Sequence, residues 1–281
     1  MTRPSFSPSS RSAAHLSAQS QRLGMRTSTL WGSALAGAVL GIAFAVSWFA
    51  PAAWLASALL SLTDGRVVLA GPQGTVWRGS AQLVFSGGAG SRDAVALPGR
   101  VSWQLSPHWN GVSALVGTSC CTPQGLTLKV LPRWAGASVL LSDGQSHWPA
   151  SLLSGLGTPW NTLQPDGDLQ LSTQGFAVEI AEGRVALAGN ARIEAQQISS
   201  RLSTLRPMGS YRFSLTGGAV TELHLETLDG SLRLTGDGQW GGGRLHFSGF
   251  ATAAPDHEAA LANLLNIIGR RDGARSIITV G

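Results

Sequence analysis

The sequence predicts a mainly β protein: one N-terminal transmembrane helix, then an elongated, mostly antiparallel β-sheet domain with one short C-terminal amphipathic helix. Three observations predict it. Thr27 to Thr63 contain no ionisable side chain. From Arg66 onward, apolar residues recur at every second position. Six of the nine aspartates (Asp64, Asp143, Asp166, Asp229, Asp237 and Asp272) precede glycine, the dipeptide of tight hairpin turns.

The uncharged stretch organises the chain. Its centre, Leu30 to Ala50, spans about 31 Å as a helix, close to the hydrocarbon thickness of a bilayer. Trp31 stands at one end and Trp48 with Phe49 at the other, where aromatic rings prefer the headgroup level. Residues 1–63 hold Arg3, Arg11, Arg22 and Arg26 and no acid. Arg22 and Arg26 therefore place the N-terminus in the cytoplasm and the remainder outside, in the periplasm if the cell has two membranes. The alternative is a cleaved signal peptide with Ala56-Ser57-Ala58 as its site, but the apolar run is longer than such a peptide needs.

Residues 1–26, rich in Ser, Arg and Gln, read as a disordered tail. Residues 27–63 form the membrane helix and a juxtamembrane extension. Trp54, Leu55, Ala58, Leu59 and Leu62 either continue the helix or lie on the outer membrane face. Residues 64–281 form the β-rich domain, taken as two coupled halves, about 64–160 and 161–281.

Within it, Val101-Trp103-Leu105, Leu126-Leu128-Val130, Phe176-Val178-Ile180, Tyr211-Phe213-Leu215, Leu223-Leu225, Leu232-Leu234 and Leu245-Phe247 alternate with polar or small residues. That period puts one face of each strand on a core and the other in water. Asp229-Gly230 gives the clearest hairpin, with Leu223 and Leu225 on one face with Leu232 and Leu234. Residues 256–268 carry Leu261, Leu264, Leu265 and Ile268 at helical spacing, acids in the first turn and Gly269 as a stop. Ser276–Val280 is β-prone and suited to rejoin the sheet. Gly74–Gly87 and Gly238–Gly249 echo one another, as related β units or merely as similar hairpins.

Charge excludes some functions. The chain has 20 Lys+Arg against 15 Asp+Glu, and removing the four leading arginines leaves 16 against 15. With no basic stripe and Lys129 the single lysine, nucleic acid is excluded as a partner. The six histidines show no paired ligand spacing, so no metal site is expected. There is no nucleophile elbow, phosphate loop or dinucleotide fingerprint, so neither catalytic residues nor a cofactor are expected. The adjacent Cys120 and Cys121 either bond to each other, pair with another chain or stay free.

Seven of the ten tryptophans fall in the β-rich domain. Most suit a core, but Trp148 and Trp160 each abut a proline, Pro149 and Pro159, in a stretch that also holds Gly155, Gly157 and Asn161. These seven residues are the candidate interaction loop, since tryptophan anchors interfaces.

Several blocks resemble the protein N family of the type II secretion system. They are Gly74-Thr75-Val76-Trp77-Arg78-Gly79-Ser80-Ala81, in which Gly74, Val76, Trp77 and Gly79 carry the likeness; Trp148-Pro149-Ala150; the long run from Gly155 to Gly167; Gly209-Ser210-Tyr211; Leu261 to Leu265; and Gly269-Arg270-Arg271 with Gly273. The long run is the most specific. The resemblance implies a non-enzymatic, single-pass inner-membrane component facing the periplasm. Such a component supports export of folded proteins across the outer membrane of Gram-negative bacteria, through contacts with other inner-membrane or periplasmic components. The competing expectation is a periplasmic lipid-handling protein with an open apolar β groove. A closed, packed sheet favours the first and an open trough of Leu, Val and Phe the second. A third, a cell-envelope hydrolase, needs a nucleophile, acid and base converging in one cleft.

Overall fold

The computed structural model describes residues 27–181, 184–241 and 244–281. The tail expected over residues 1–26 lies outside the described residues. The chain divides after Ala50 into two units.

The first unit contains helix α1 (Thr27–Trp48), whose large apolar side chains, among them Trp31, Leu35, Leu40 and Phe44, are exposed. Against the expectation of a span over Leu30–Ala50, the helix stops at Trp48. Among the described residues no helix is long and apolar enough to cross a membrane. Glycine and alanine make up much of its middle.

The second unit opens with α2 (Ala52–Leu62), a separate helix started by Pro51. Ala52, Leu55, Ala56 and Leu59 fall on one helical face and pack on Leu69, Ala81 and Trp103 of the sheet. This extension is therefore neither a continuation of α1 nor a helix free of the domain: it covers the first strands. Trp54 and Leu62 point away from that contact and are exposed.

The strands follow in chain order: β1 (Val67–Gly74), β2 (Arg78–Ser86), β3 (Ala94–Ala96), β4 (Val101–His108), β5 (Gly111–Thr118), β6 (Thr122–Arg133), β7 (Gly136–Leu141), β8 (Gly144–Pro149), β9 (Asp166–Ala181), β10 (Arg184–Ser199), β11 (Gly209–Thr216), β12 (Thr221–Gly230), β13 (Leu232–Gly241), β14 (Arg244–Ala253), β15 (Arg270–Asp272) and β16 (Arg275–Val280). A 3-10 turn (Ala150–Leu156) and α3 (Trp160–Leu163) separate β8 from β9, and α4 (Glu258–Ile268) separates β14 from β15.

All sixteen belong to one antiparallel sheet in the order β1-β2-β4-β5-β6-β7-β9-β10-β11-β12-β13-β14-β16-β15, with β3 beside β2 and β8 beside β9. Among the described residues no strand pairing joins β15 to β1, so the sheet they form is open. β7 and then β8 pair with successive stretches of β9, and the residues between Pro149 and Asp166 leave the sheet.

The alternation places side chains as the sequence predicts. On β10, β11 and β12, Ile193, Tyr211, Phe213 and Leu225 face one side. On the other, register brings Arg212 between Glu194 and Glu226, with N–O distances of 2.9 and 2.8 Å. The helix expected at 256–268 is α4 preceded by a 3-10 turn, and Leu261, Leu264 and Leu265 are its buried face. They join Met208, Tyr211, Leu232 and Ala251 in one core. The last strand rejoins the sheet beside β14.

The Asp-Gly reading needs correction at three positions. Asp64 lies in a turn, Asp143 in a bend, and Asp272 borders the turn at Gly273. Asp166, Asp229 and Asp237, however, are strand residues. Asp229 and Gly230 pair with Ser210 and Gly209 of β11, so β12 and β13 are not joined by a tight two-residue turn. Asp237 lies opposite Ser248, and its carboxylate sits 2.6 Å from His224 Nδ1. Register here follows which leucines reach the core, and that outweighs a local turn preference. The sequence echo also stops short of structure: Trp77 lies in the β1–β2 turn, whereas Trp240 lies inside β13.

Candidate functional site

The side of the sheet bearing Tyr211 and Phe213 is not filled. β9 to β13 and β16 form one wall of an apolar groove of about 590 Å³, α4 closes it at one end, and the segment between β8 and β9 lies along it as a strap. Its lining contains no Asp, Glu, Lys, Arg or His. A second apolar cavity of about 350 Å³, bounded by Phe85, Trp148 and Leu171, shares Leu153, Leu169 and Ile193 with the first. The two therefore adjoin across those side chains.

Local sequence explains how the strap comes so close. A Cβ added at Gly155 would stand 2.6 Å from the Phe85 carbonyl oxygen, so only glycine lets the chain pass there. Gly157, at φ +83°, brings its backbone against Gly87. Asn161 Nδ2 donates to an Asp93 carboxylate oxygen at 2.9 Å, tying the strap to the loop between β2 and β3. On the other side, Ser200 Oγ donates to the Leu163 carbonyl at 2.5 Å.

The structure brings the seven residues of the candidate interaction loop to this region but gives them different tasks. Gly155, Gly157 and Asn161 hold the strap to the sheet. Trp148 is half-buried against the core of Leu97, Val101, Cys121 and Leu152, and its Nε1–H donates to Ser146 Oγ at 2.9 Å. Pro149 lines the smaller cavity, and Pro159 and Trp160 line the groove, with Trp160 38% exposed.

Gly74, Val76, Trp77 and Gly79 build the first hairpin. Gly74 and Gly79 are partners across β1 and β2, and the Trp103 indole lies where a Gly79 side chain would be. The same indole donates to the Val76 carbonyl at 3.0 Å. Cys120 and Cys121 are bonded to each other in the turn between β5 and β6, with Cys121 buried in the neighbouring core. Among the described residues, no group of three or more His, Cys, Asp or Glu side chains is placed to hold a metal ion.

Sequence reasoning missed two features. The first is Tyr211, the single tyrosine, 7% exposed on the groove wall. Its hydroxyl has no hydrogen-bond partner among the described residues, and burial pushes the phenol well above its ordinary value. Its place in an alternating run marks it only as core. The second is the pair Trp109 and Trp134, which occupy the β4–β5 and β6–β7 tips at the same end of the sheet and are fully exposed. The Asn110-Gly111 and Ala135-Gly136 that follow them are signals that mark tips. On the far face, hydrogen bonds to Glu194 and Glu226 hold the Arg212 guanidinium above its ordinary value.

A family model described as type II secretion system (T2SS), protein N, matches residues 65–278. No curated protein and no solved structure matches the chain. The family match runs from the turn before β1 almost to the end of β16, taking in the Gly74–Gly79 hairpin, the strap and the groove. It bears out the resemblance carried by those blocks: the chain belongs to the protein N family of the type II secretion system.

Proposed function

We propose that this secretion-system component is a non-enzymatic scaffold, tethered to the inner membrane through α1, with its β-rich unit in the periplasm. It works by binding other inner-membrane or periplasmic components of the apparatus. The tether is supported by 37 residues without an ionisable group, preceded by Arg22 and Arg26, and by the exposed apolar side chains of α1.

The observation that carries the contact role is the pair Trp109 and Trp134, 97% and 106% exposed at neighbouring hairpin tips. A buried tryptophan removes about 150–250 Å² from water, and two left wholly in solvent at one end of a sheet supply the anchors on which interface energy concentrates. Trp160, half-open on the strap, is a further contact position.

The test is a photoreactive residue placed in turn at Trp109, Trp134 and Trp160 in cells, with identification of what is captured. Another apparatus component captured at either hairpin tip is the expected result. Wild-type secretion by a chain carrying both Trp109→Ala and Trp134→Ala, at wild-type abundance, refutes the reading.

The open groove favours a second reading, handling of lipid. The sheet does not close, and the face that would form a packed core leaves an uncharged trough. Capture of lipid at Trp160 supports this reading.

A further inference from the structure

We propose that the end of the sheet bearing Trp109 and Trp134 rests on the surface of the membrane that holds α1, with both indole rings in the lipid headgroup layer. This rests on the tether proposed above. It also narrows the contact role: the components that these tips meet are those embedded in that membrane, rather than soluble ones.

The antiparallel order gives the sheet two ends. The β1–β2, β4–β5 and β6–β7 turns lie at one, and the β5–β6 turn, the strap and the β10–β11 connection at the other. Register keeps the first three turns near one level. The Leu105 N–H donates to the Trp77 carbonyl at 2.7 Å, Gly111 lies opposite His108, and Val112 lies opposite Val130. Each turn therefore ends only a few residues beyond the one before it.

The chain enters the β-rich unit at this same end. Pro51 forms an antiparallel bridge with Thr75 of the β1–β2 turn, and α2 then packs along the first strands toward the start of β1. Phe49 and Ala50 alone separate Pro51 from Trp48, the last residue of α1. Three residue steps span at most about 11 Å, so a membrane-held α1 keeps the β1–β2 turn near the headgroups. At about 4.8 Å between neighbouring strands, Trp109 and Trp134 stand roughly 10 and 20 Å along the sheet from that turn.

What stands at these turns suits a headgroup layer. Both tryptophans are wholly in solvent, and His108 and Arg133 beside them are exposed, as is Arg78 of the first hairpin. No acid occurs within residues 74–79, 107–112 or 132–137, and Glu179 of β9 lies farther from the tips, opposite Ser138. An indole at the boundary of water and hydrocarbon buries its ring and keeps its N–H hydrogen-bonded, while an adjacent cation meets lipid phosphate. The tether holds both rings over that surface at a high effective concentration, which a soluble partner would have to match.

The test places a dansyl-bearing amino acid at Trp109, at Trp134 or, as control, at the exposed Thr204 of the β10–β11 connection, each in the full-length chain. The chains are reconstituted in vesicles of phosphatidylethanolamine and phosphatidylglycerol, with or without phosphatidylcholine brominated on its acyl chains near the glycerol. Resistance to alkaline extraction checks insertion. Bromolipid should quench emission from both tips and leave Thr204 unchanged, and tip emission should lie to the blue of the control. An unquenched tip in an inserted chain overturns this inference and leaves the tether and the contact role standing. Quenching at Thr204 equal to or above that at the tips also overturns it, because the unit then lies flat or the other way up. A chain extracted from the vesicles overturns the tether together with the inference.

Discussion

Replacing Tyr211 by phenylalanine should stabilise the lipid-free protein, the reverse of the usual outcome for a buried tyrosine. The side chain is 7% exposed, and its hydroxyl has no partner among the described residues. Mutational data put the cost of an unpaired buried hydroxyl at about 1–3 kcal/mol. Part of that is offset by the contact its oxygen makes over Gly209, where an added Cβ would lie 2.8 Å away. A net gain of about 1 kcal/mol follows, or about 2–4 °C in Tm for a domain of this size.

Alkaline pH widens the gap. The phenol is raised above its ordinary value of about 10, so below pH 10 both folded and unfolded chains hold the proton and the difference is constant. Above it, the unfolded chain releases a proton that the folded chain keeps. Wild-type stability then falls by about 1.4 kcal/mol per pH unit until the folded phenol itself ionises. Tyr211→Phe lacks this loss, so the difference should reach about 2–2.5 kcal/mol at about pH 11. Denaturant titration of the lipid-free, full-length chain, followed by tryptophan fluorescence, measures both values. With one tyrosine in the chain, tyrosinate absorbance reads the same titration directly. A variant less stable by 1 kcal/mol or more would show that the hydroxyl has a partner, and parallel pH curves would show that it is not buried; either refutes the argument.

Gly155→Ala forces a methyl to 2.6 Å from the Phe85 carbonyl oxygen, so it should cost about 1–3 kcal/mol. Limited proteolysis should show faster cleavage between residues 150 and 165, and unchanged resistance would mean that the strap is not seated by that contact. Leu264→Ala, at 2% exposure between α4 and the sheet, should cost about 2–5 kcal/mol and lower amide-exchange protection in β16; an effect confined to α4 would separate that helix from the core.

The period-two alternation, the α4 leucines and the return of the last strand were legible because each is a local pattern: a strand or helix must hide one face, and side-chain spacing states which. The Gly74-to-Gly79 and Gly155-to-Gly157 runs were also visible, and led to the right family. In the structure they are positions where backbone meets backbone or an indole, which explains why glycine stands there.

Only the tertiary structure decided the rest. Whether Asp229-Gly230 turns or continues a strand depends on β11, about twenty residues earlier in the chain. Whether the sheet closes depends on its two ends, β1 and β15, which no local preference relates. The groove is the plainest case. Its lining draws Ile193, Tyr211, Leu232 and Leu264 from separate elements, and each reads in sequence as ordinary core. Apolar character is a property of a residue, and so the chain by itself determined which faces leave water. Whether facing surfaces meet or leave a trough is a property of their separation, which packing sets.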